Sequence, residues 1–266
     1  MVYVDTILTV DNLHINFYTN NRCNEAVKGV SFQLKKGRTL CLVGESGCGK
    51  SVSASAIMRL LPPLSRIEEG RIIYHTDQGD IHLHELDPSG PEIRAIRGAE
   101  IAMIFQDPMT ALNPVYTVGF QIREAFMYHA KMAKAAMQAK AVELLRAMRI
   151  PAPEQRVNEY IHQYSGGMRQ RAMIAMAMAC NPKILIADEP TTALDVTVQA
   201  QIFDLMNDLQ QKHNAAILLI THDMGVVAEL AHDVVVMYMG VAGENGPVED
   251  VLNRPRLLYT SDAADE

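Results

Sequence analysis

Thr39-Leu40-Cys41-Leu42-Val43-Gly44-Glu45-Ser46-Gly47-Cys48-Gly49-Lys50-Ser51 is the stretch that decides the fold. Its first half is a short, almost wholly apolar run, the mark of a strand buried on both faces. Its second half fits G-x-x-x-x-G-K-[ST] at every fixed position, through Gly44, Gly49, Lys50 and Ser51. Val52 to Leu61 then reads as a helix stopped by Pro62-Pro63. Strand, glycine loop and helix in that order build an anion cradle. The glycines let the backbone curl until the N–H groups of Gly44, Glu45, Ser46, Gly47, Cys48 and Gly49 face one concavity. The helix N-terminus adds the positive end of a dipole. Lys50 is placed to neutralise the β- and γ-phosphates of a nucleotide, and the Ser51 hydroxyl to bind Mg²⁺. Cys48 stands at a variable position and is given no redox role.

Outward from this loop, buried strands alternate with helices. The predicted strands are Ile101–Phe105, Ile184–Ala187, Ala216–Ile220 and Val234–Met237. Helices are expected at Val196–Lys212 and Met224–Ala231, which implies a largely parallel α/β core. Ahead of the loop, Ile7–Val10, Leu13–Phe17 and Ala26–Leu34 are β-prone, with Asn20–Arg22 as a turn. Residues 64–98 are broken by glycine and proline and read as a strand, Arg71–His75, a hairpin and a loop. One helical stretch is expected over Thr117–Arg149 and another over Met168–Ala179. The stretch from about 107 to 180 interrupts the alternation and is expected to be an inserted helical subdomain. The methionines at 168, 173, 176 and 178 are taken as helix packing.

A second acidic site follows. Ile184-Leu185-Ile186-Ala187-Asp188-Glu189 is an apolar strand ending in two carboxylates. Asp188 can hold Mg²⁺, and Glu189, pointing the other way, can polarise an attacking water as general base. Loop and acids together give a nucleotide hydrolase.

Composition narrows the alternatives. The chain has 266 residues, 48% of them hydrophobic and 21% charged, which excludes wholesale disorder. A net charge of −7 argues against a nucleic-acid coat, so no nucleic-acid partner is expected. The longest unbroken apolar run, Ala172 to Cys180, is far short of the roughly 20 residues a spanning helix needs. No signal peptide is read at Met1–Asp5. Cys23, Cys41, Cys48 and Cys180 form no CxxC pair, and nothing suggests a disulfide framework or zinc site.

Tyr164-Ser165-Gly166-Gly167-Met168-Arg169-Gln170-Arg171 names the family. It resembles the signature sequence of ATP-binding cassette (ABC) ATPases. Ser165, Gly166 and Gly167 precede a helix and form a second anion site. A chain that already has its phosphate loop has use for a second such site if it serves the nucleotide of a partner chain. The resemblance implies that arrangement: two cassettes sandwiching two ATPs head to tail. It covers about residues 5–255 and implies an N-terminal antiparallel β subdomain beside the P-loop core. It also carries further residues over. Gln106 resembles the glutamine that senses Mg²⁺ and links to the transporter. Ala193-Leu194-Asp195 resembles the loop that crosses the dimer interface, and His222 the histidine that contacts the γ-phosphate. Phe17 resembles the aromatic stacked on adenine, with Tyr18 as the alternative.

Gln106-Asp107-Pro108-Met109-Thr110-Ala111-Leu112-Asn113-Pro114 is similar to a segment of oligopeptide, dipeptide and nickel importer ATPases. Met168, where many cassettes have Gln, points the same way. The resemblance thus implies an ATP-hydrolysing importer subunit for peptides or a related small solute. A second cassette, two transmembrane permease subunits and an extracytoplasmic solute-binding protein would be its partners. Its place would be peripheral, on the cytoplasmic face of the membrane. Two alternatives remain at this level. One is a soluble ABC ATPase not coupled to transport, which usually shows a coiled-coil insertion or a second cassette. The other is a cassette that binds ATP without hydrolysing it, which would not be expected to keep Lys50, Asp188, Glu189 and His222. Residues 257–266 resemble a translated sequencing adaptor and read as an artificial tail on a truncated chain. In some relatives the region beyond binds an iron–sulfur cluster.

Overall fold

The computed structural model describes residues 5–19, 22–130, 132–191 and 194–254. Its strands are β1 Thr6–Thr19, β2 Arg22–Lys35, β3 Thr39–Val43, β4 Ser65–Thr76, β5 Gly79–His82, β6 Ile101–Ile104, β7 Ile184–Asp188, β8 Ala216–Thr221, β9 Asp233–Tyr238 and β10 Val241–Pro247. Its helices are α1 Lys50–Ile57, α2 Pro91–Ile96, α3 Pro108–Ala111, α4 Val118–His129, α5 Lys134–Ala147, α6 Pro153–Arg156, α7 Gly166–Ala177, α8 Val196–His213, α9 Met224–Leu230 and α10 Val248–Asn253. They form two compact units, Met1–Arg94 with Ala216–Glu266, and Ala95–Ala215.

The first unit holds two sheets. One is antiparallel, in the order β2-β1-β4-β5. In the other, β3 runs parallel to both β8 and β9, and β10 pairs antiparallel with β9. Every residue of β3 and β8 is buried, as expected of the continuous apolar runs. The antiparallel subdomain implied by the resemblance is present. However, Ile7–Val10 and Leu13–Phe17 are one strand rather than two. Asp11 and Asn12 make a bulge in it, with Asn12 left-handed at φ 48° and its N–H donating to Ser31 Oγ at 2.8 Å. The expected turn at Asn20–Arg22 is shorter, since Arg22 already belongs to β2; Asn20 and Asn21 lie outside the described residues.

Helix α1 ends one turn sooner than Leu61. Arg59 turns left-handed at φ 54°, and the Leu60 N–H reaches back to Ser55 O at 2.8 Å. This is a Schellman-type stop, set a few residues before the prolines that would have ended the helix in any case. Among the elements not expected are β10 and α10. Strand β10 reads Val-Ala-Gly-Glu-Asn-Gly-Pro and alternates half-buried with exposed, an edge strand with too few apolar residues to announce itself.

The second unit pairs β6 and β7 in parallel and packs α4, α5 and α7 on one another. The single helix expected over Thr117–Arg149 is two. No residue at 128–133 breaks helices, and the chain turns at Ala130, extended at φ −131°, only so that α5 can fold back on α4. Packing, not propensity, makes that break. The stretch 64–98, expected as a strand, a hairpin and a loop, also contains α2, opened by Pro91 at its first position. The adaptor-like tail, the end of the expected domain at Pro255 and residue Ala193 lie outside the described residues.

The bulge in β1 generates a test. Gly70 in β4 has φ 98°, and a Cβ there would stand 2.7 Å from the Leu13 Cα and run into the Asn12 carbonyl. Gly79, at φ 127° in the β4–β5 turn, has nothing within 4 Å. Gly70→Ala is therefore expected to lower stability by about 3 kcal/mol, and Gly79→Ala by about 1 kcal/mol, on chemical denaturation. Equal losses would show that the β1–β4 approach is not tight.

Candidate active site

In the first unit the glycine loop sits between β3 and α1, as the sequence predicts. Gly44, Gly47 and Gly49 all have positive φ, at 152°, 81° and 104°. Two of them are glycine because of their neighbours. A Cβ on Gly49 would lie 2.7 Å from Ala26 O, and one on Gly44 would strike the Met237 carbonyl and lie 2.9 Å from Cys48 Sγ. Gly47 is different, since nothing lies within 4 Å of its missing Cβ. The loop is thus clamped at both ends and open in the middle, which is the shape a phosphate needs.

Lys50 is 5% exposed, and its Nζ donates to Gly44 O at 2.7 Å and Glu45 O at 2.8 Å. The loop's own carbonyls hold the ammonium within the cradle. Ser51 follows on the exposed side of α1. Cys48 is buried under the loop. Cys41 in β3 is buried too, and desolvation pushes its thiol up to about 12, so it is inert.

Phe17 and Tyr18 lie side by side on β1 and face opposite ways. The Tyr18 side is occupied. Its hydroxyl donates to Glu68 at 2.6 Å, which raises its pKa, and the Arg66 guanidinium lies 5.9 Å from its ring centroid. Phe17 is half-buried, whereas Tyr18 is exposed. His222 is exposed and follows the last residue of β8, Thr221, while Asp223 caps α9 by accepting from Gly225 N at 2.8 Å.

In the second unit β7 ends at Asp188, which is 6% exposed. Glu189 comes next at φ 45°, left-handed, although a residue before proline strongly prefers extended backbone. Such strain is of order 1–3 kcal/mol and gathers where a side chain must be aimed. Gln106, just beyond β6, donates from Nε2 to Glu189 Oε2 at 2.8 Å. Residues 83 positions apart thus meet, Gln106 and Glu189, both singled out from sequence.

Helix α7 begins earlier than expected. Gly166 and Gly167 are its first two residues, and Ser165 caps it by accepting from Met168 N at 3.4 Å. The two glycines have different causes. A Cβ on Gly167 would lie 2.9 Å from Val198 Cγ1, so that glycine lets α8 approach. Among the described residues, a Cβ on Gly166 would meet only Leu194 Cδ2, at an ordinary 3.8 Å. Around them lies a cavity of about 470 Å³ lined by Ser165, Gly166, Arg149, Arg171, Leu194 and Asp195, among others. Asp195 caps α8, accepting from Val198 N at 3.0 Å. Arg171 bonds Gln201 Oε1 at 2.5 Å and the Met148 carbonyl at 3.3 Å. Burial, then the neighbouring Arg149 charge, lowers its pKa. Two arginines lie beside the helix N-terminus, Arg149 paired with Asp208 at 3.0 Å, and Asp195 adds a carboxylate to the lining. Sequence reasoning missed Arg149, which carries no motif; it stands just past α5 in left-handed backbone at φ 55°.

The profile of the ABC transporter family matches residues 27–192, and the chain belongs to that family, as an ATP-binding ATPase cassette. At the level of individual proteins it is 52% identical over 258 residues to the dipeptide transport ATP-binding protein DppD of Bacillus subtilis, covering 97% of this chain and 75% of that one. It is 49% identical over 254 residues to the protein of the same name from Escherichia coli, covering 96% and 76%. Among solved structures it is similar to the ATP-binding cassette MJ0796, described as a dimer in a post-hydrolysis state bound to ADP and Pi. There the TM-score is 0.79 and the identity 26%, over 91% of this chain and 99% of that one.

The loop geometry gives a test of its own. Gly49→Ala is expected to destabilise the chain by more than about 2 kcal/mol and to abolish nucleotide binding, because the Ala26 carbonyl cannot be moved aside. Gly47→Ala should cost only about 1 kcal/mol, the strain of a positive φ. Thermal melts with and without nucleotide separate the two.

Proposed function

We propose that this chain hydrolyses ATP as the engine subunit of a membrane importer of peptides or of a related small solute, and that it works as one half of a head-to-tail pair of cassettes. The relatives named for dipeptide transport support the substrate class. The solved dimer of a similar cassette supports the pairing. Gly166 carries the reading: a Cβ there would meet Leu194 Cδ2 at an ordinary 3.8 Å, so the position has room for a group from outside the chain to come close. The γ-phosphate of a nucleotide held by a partner cassette fits that place.

Each residue then has a task. The Gly44–Ser51 loop holds the α-, β- and γ-phosphates through backbone N–H groups, and Lys50 exchanges the loop carbonyls for phosphate oxygens. Phe17 stacks on the base. Ser51, Asp188 and Gln106 offer a hydroxyl, a carboxylate and an amide oxygen, an all-oxygen set that suits Mg²⁺. With Gln106 Nε2 engaged by Glu189, its Oε1 is the atom offered to the ion. Bound Mg²⁺ would supply charge neutralisation between the β- and γ-phosphates. Glu189 accepts a proton from water as the water oxygen bonds to the γ-phosphorus. The bond from that phosphorus to the bridging oxygen breaks, and ADP and phosphate result. His222 steadies the γ-phosphate. Ser165, Gly166 and Gly167 cap the partner's nucleotide, and Asp195 lines the same cavity. Permeases and an extracytoplasmic binding protein are the further partners. No helix among the described residues is long and apolar enough to cross a membrane, so the chain would sit against its permeases.

Glu189→Gln is expected to abolish steady-state turnover while ATP still binds, whereas Lys50→Ala should weaken binding itself. Nucleotide titration beside phosphate release distinguishes them. Equal loss of affinity and turnover in Glu189→Gln would remove it as the base.

The pairing has a sharper test. In dimers of two distinguishable chains, Gly166→Trp in one chain is expected to stop hydrolysis at the nucleotide held by the other, with single-chain ATP affinity little changed. A Glu189→Gln substitution silences one site so that the other reports alone. Loss at the mutant's own nucleotide would mean that the motif acts within its chain.

A further inference from the structure

Cysteine spacing suggests no zinc site, but the histidines lead elsewhere. Three of the nine histidines fall between residues 75 and 84. Strand β5 ends at His82, and a 3₁₀ turn spans Leu83–Glu85. Leu83 is fully buried and pins the turn, which leaves His82 and Glu85 exposed on either side and His84 half-buried. The His82 and His84 rings meet edge to face with centroids 5.7 Å apart, and Glu85 Oε1 lies 3.7 Å from His84 Nε2. One ligand atom from each of the three residues lies within 4.8 Å of the others. None of the three belongs to the motifs assigned above.

His84 is already oriented. Its Nδ1 lies 3.2 Å from the Ile72 carbonyl and 3.1 Å from the Ile72 N–H. The Ile72 N–H donates to Nδ1, so in the neutral ring the proton sits on Nε2, toward Glu85; a cation bound at Nε2 displaces that proton, and Nδ1 is then protonated beside the Ile72 carbonyl. The two Ile72 groups hold the ring in place, and a backbone carbonyl beside the far nitrogen is the usual outer support of a metal-bound imidazole. For bonds of about 2.0 Å, tetrahedral ligands stand roughly 3.3 Å apart. The exposed His82 and Glu85 side chains need only rotate inward, while His84 stays where Ile72 holds it.

We propose that His82, His84 and Glu85 bind a Zn²⁺-like divalent cation, with water completing the coordination. The donor set decides the ion: two imidazole nitrogens and one carboxylate suit Zn²⁺ and its borderline neighbours, whereas Mg²⁺ and Ca²⁺ prefer oxygen alone. The cation ties the 3₁₀ turn to the end of β5 and, through the His84–Ile72 contact, to β4. It is a clamp on the antiparallel sheet, distinct in chemistry from the Mg²⁺ of the nucleotide. This inference does not depend on the transport reading.

The test uses the full chain, stripped with EDTA and free of nucleotide, titrated calorimetrically with Zn²⁺ alone. Saturable one-to-one binding and a rise in melting temperature are expected. His82→Ala and Glu85→Gln, both at exposed positions, should each weaken binding by about tenfold or more. His84→Ala should abolish it, and His213→Ala, on α8, should leave it unchanged. Because His84→Ala also loses its contact to Ile72, the two exposed variants decide the matter. Co²⁺ in place of Zn²⁺ should give visible absorption that the same variants lose. No binding by the wild-type chain, or binding unchanged in His82→Ala and Glu85→Gln, overturns the site.

Discussion

Two backbone carbonyls shape everything at the nucleotide end of this chain. Ala26 O in β2 and Met237 O in β9 press on positions 49 and 44 so closely that no side chain fits at either. They come from strands over 200 residues apart in sequence, and they meet the loop only because β9 lies beside β3 in one sheet while β2 belongs to the other. The loop is therefore held in place by tertiary structure, and its glycines answer neighbours rather than flexibility. A short sequence motif serves as a dependable sign of a fold for this reason. It records the places where the rest of the molecule comes too near.

The helical signature in the second unit is built on a related contrast. Of two adjacent glycines, one admits a neighbouring helix and the other faces a cavity between arginines and a serine cap. Among the described residues only the first is crowded by a neighbour. Elsewhere in that unit Glu189, in left-handed backbone, is steadied by an amide from far away in sequence. One half of the chemistry thus rests on close packing, and the other on directed side chains.

Much of this was legible in the residues. The runs at β3, β7 and β8 announced buried strands because both faces are covered, so no polar alternation blurs them. The loop, the paired acids and the Ser-Gly-Gly start of α7 were legible because their chemistry is local. The turn between α4 and α5 was hidden, since every residue there favours a helix and only packing breaks it. The β1 bulge was hidden too, because Asp11 and Asn12 look like the end of a strand. Strand β10 borrows its conformation from β9 and has little apolar pattern of its own. The differing reasons for Gly166 and Gly167, and the place of Arg149, needed coordinates outright, for they depend on what stands opposite in space.

The lysine held by the carbonyls of Gly44 and Glu45 has one more consequence. An ammonium buried without acceptors would pull water into the cradle or drive the loop to collapse upon itself. Here two neutral carbonyls satisfy that charge from within the loop itself. The same two contacts tie the side chain to the backbone turn it belongs to, so the curvature of the loop and the position of its ammonium are set together.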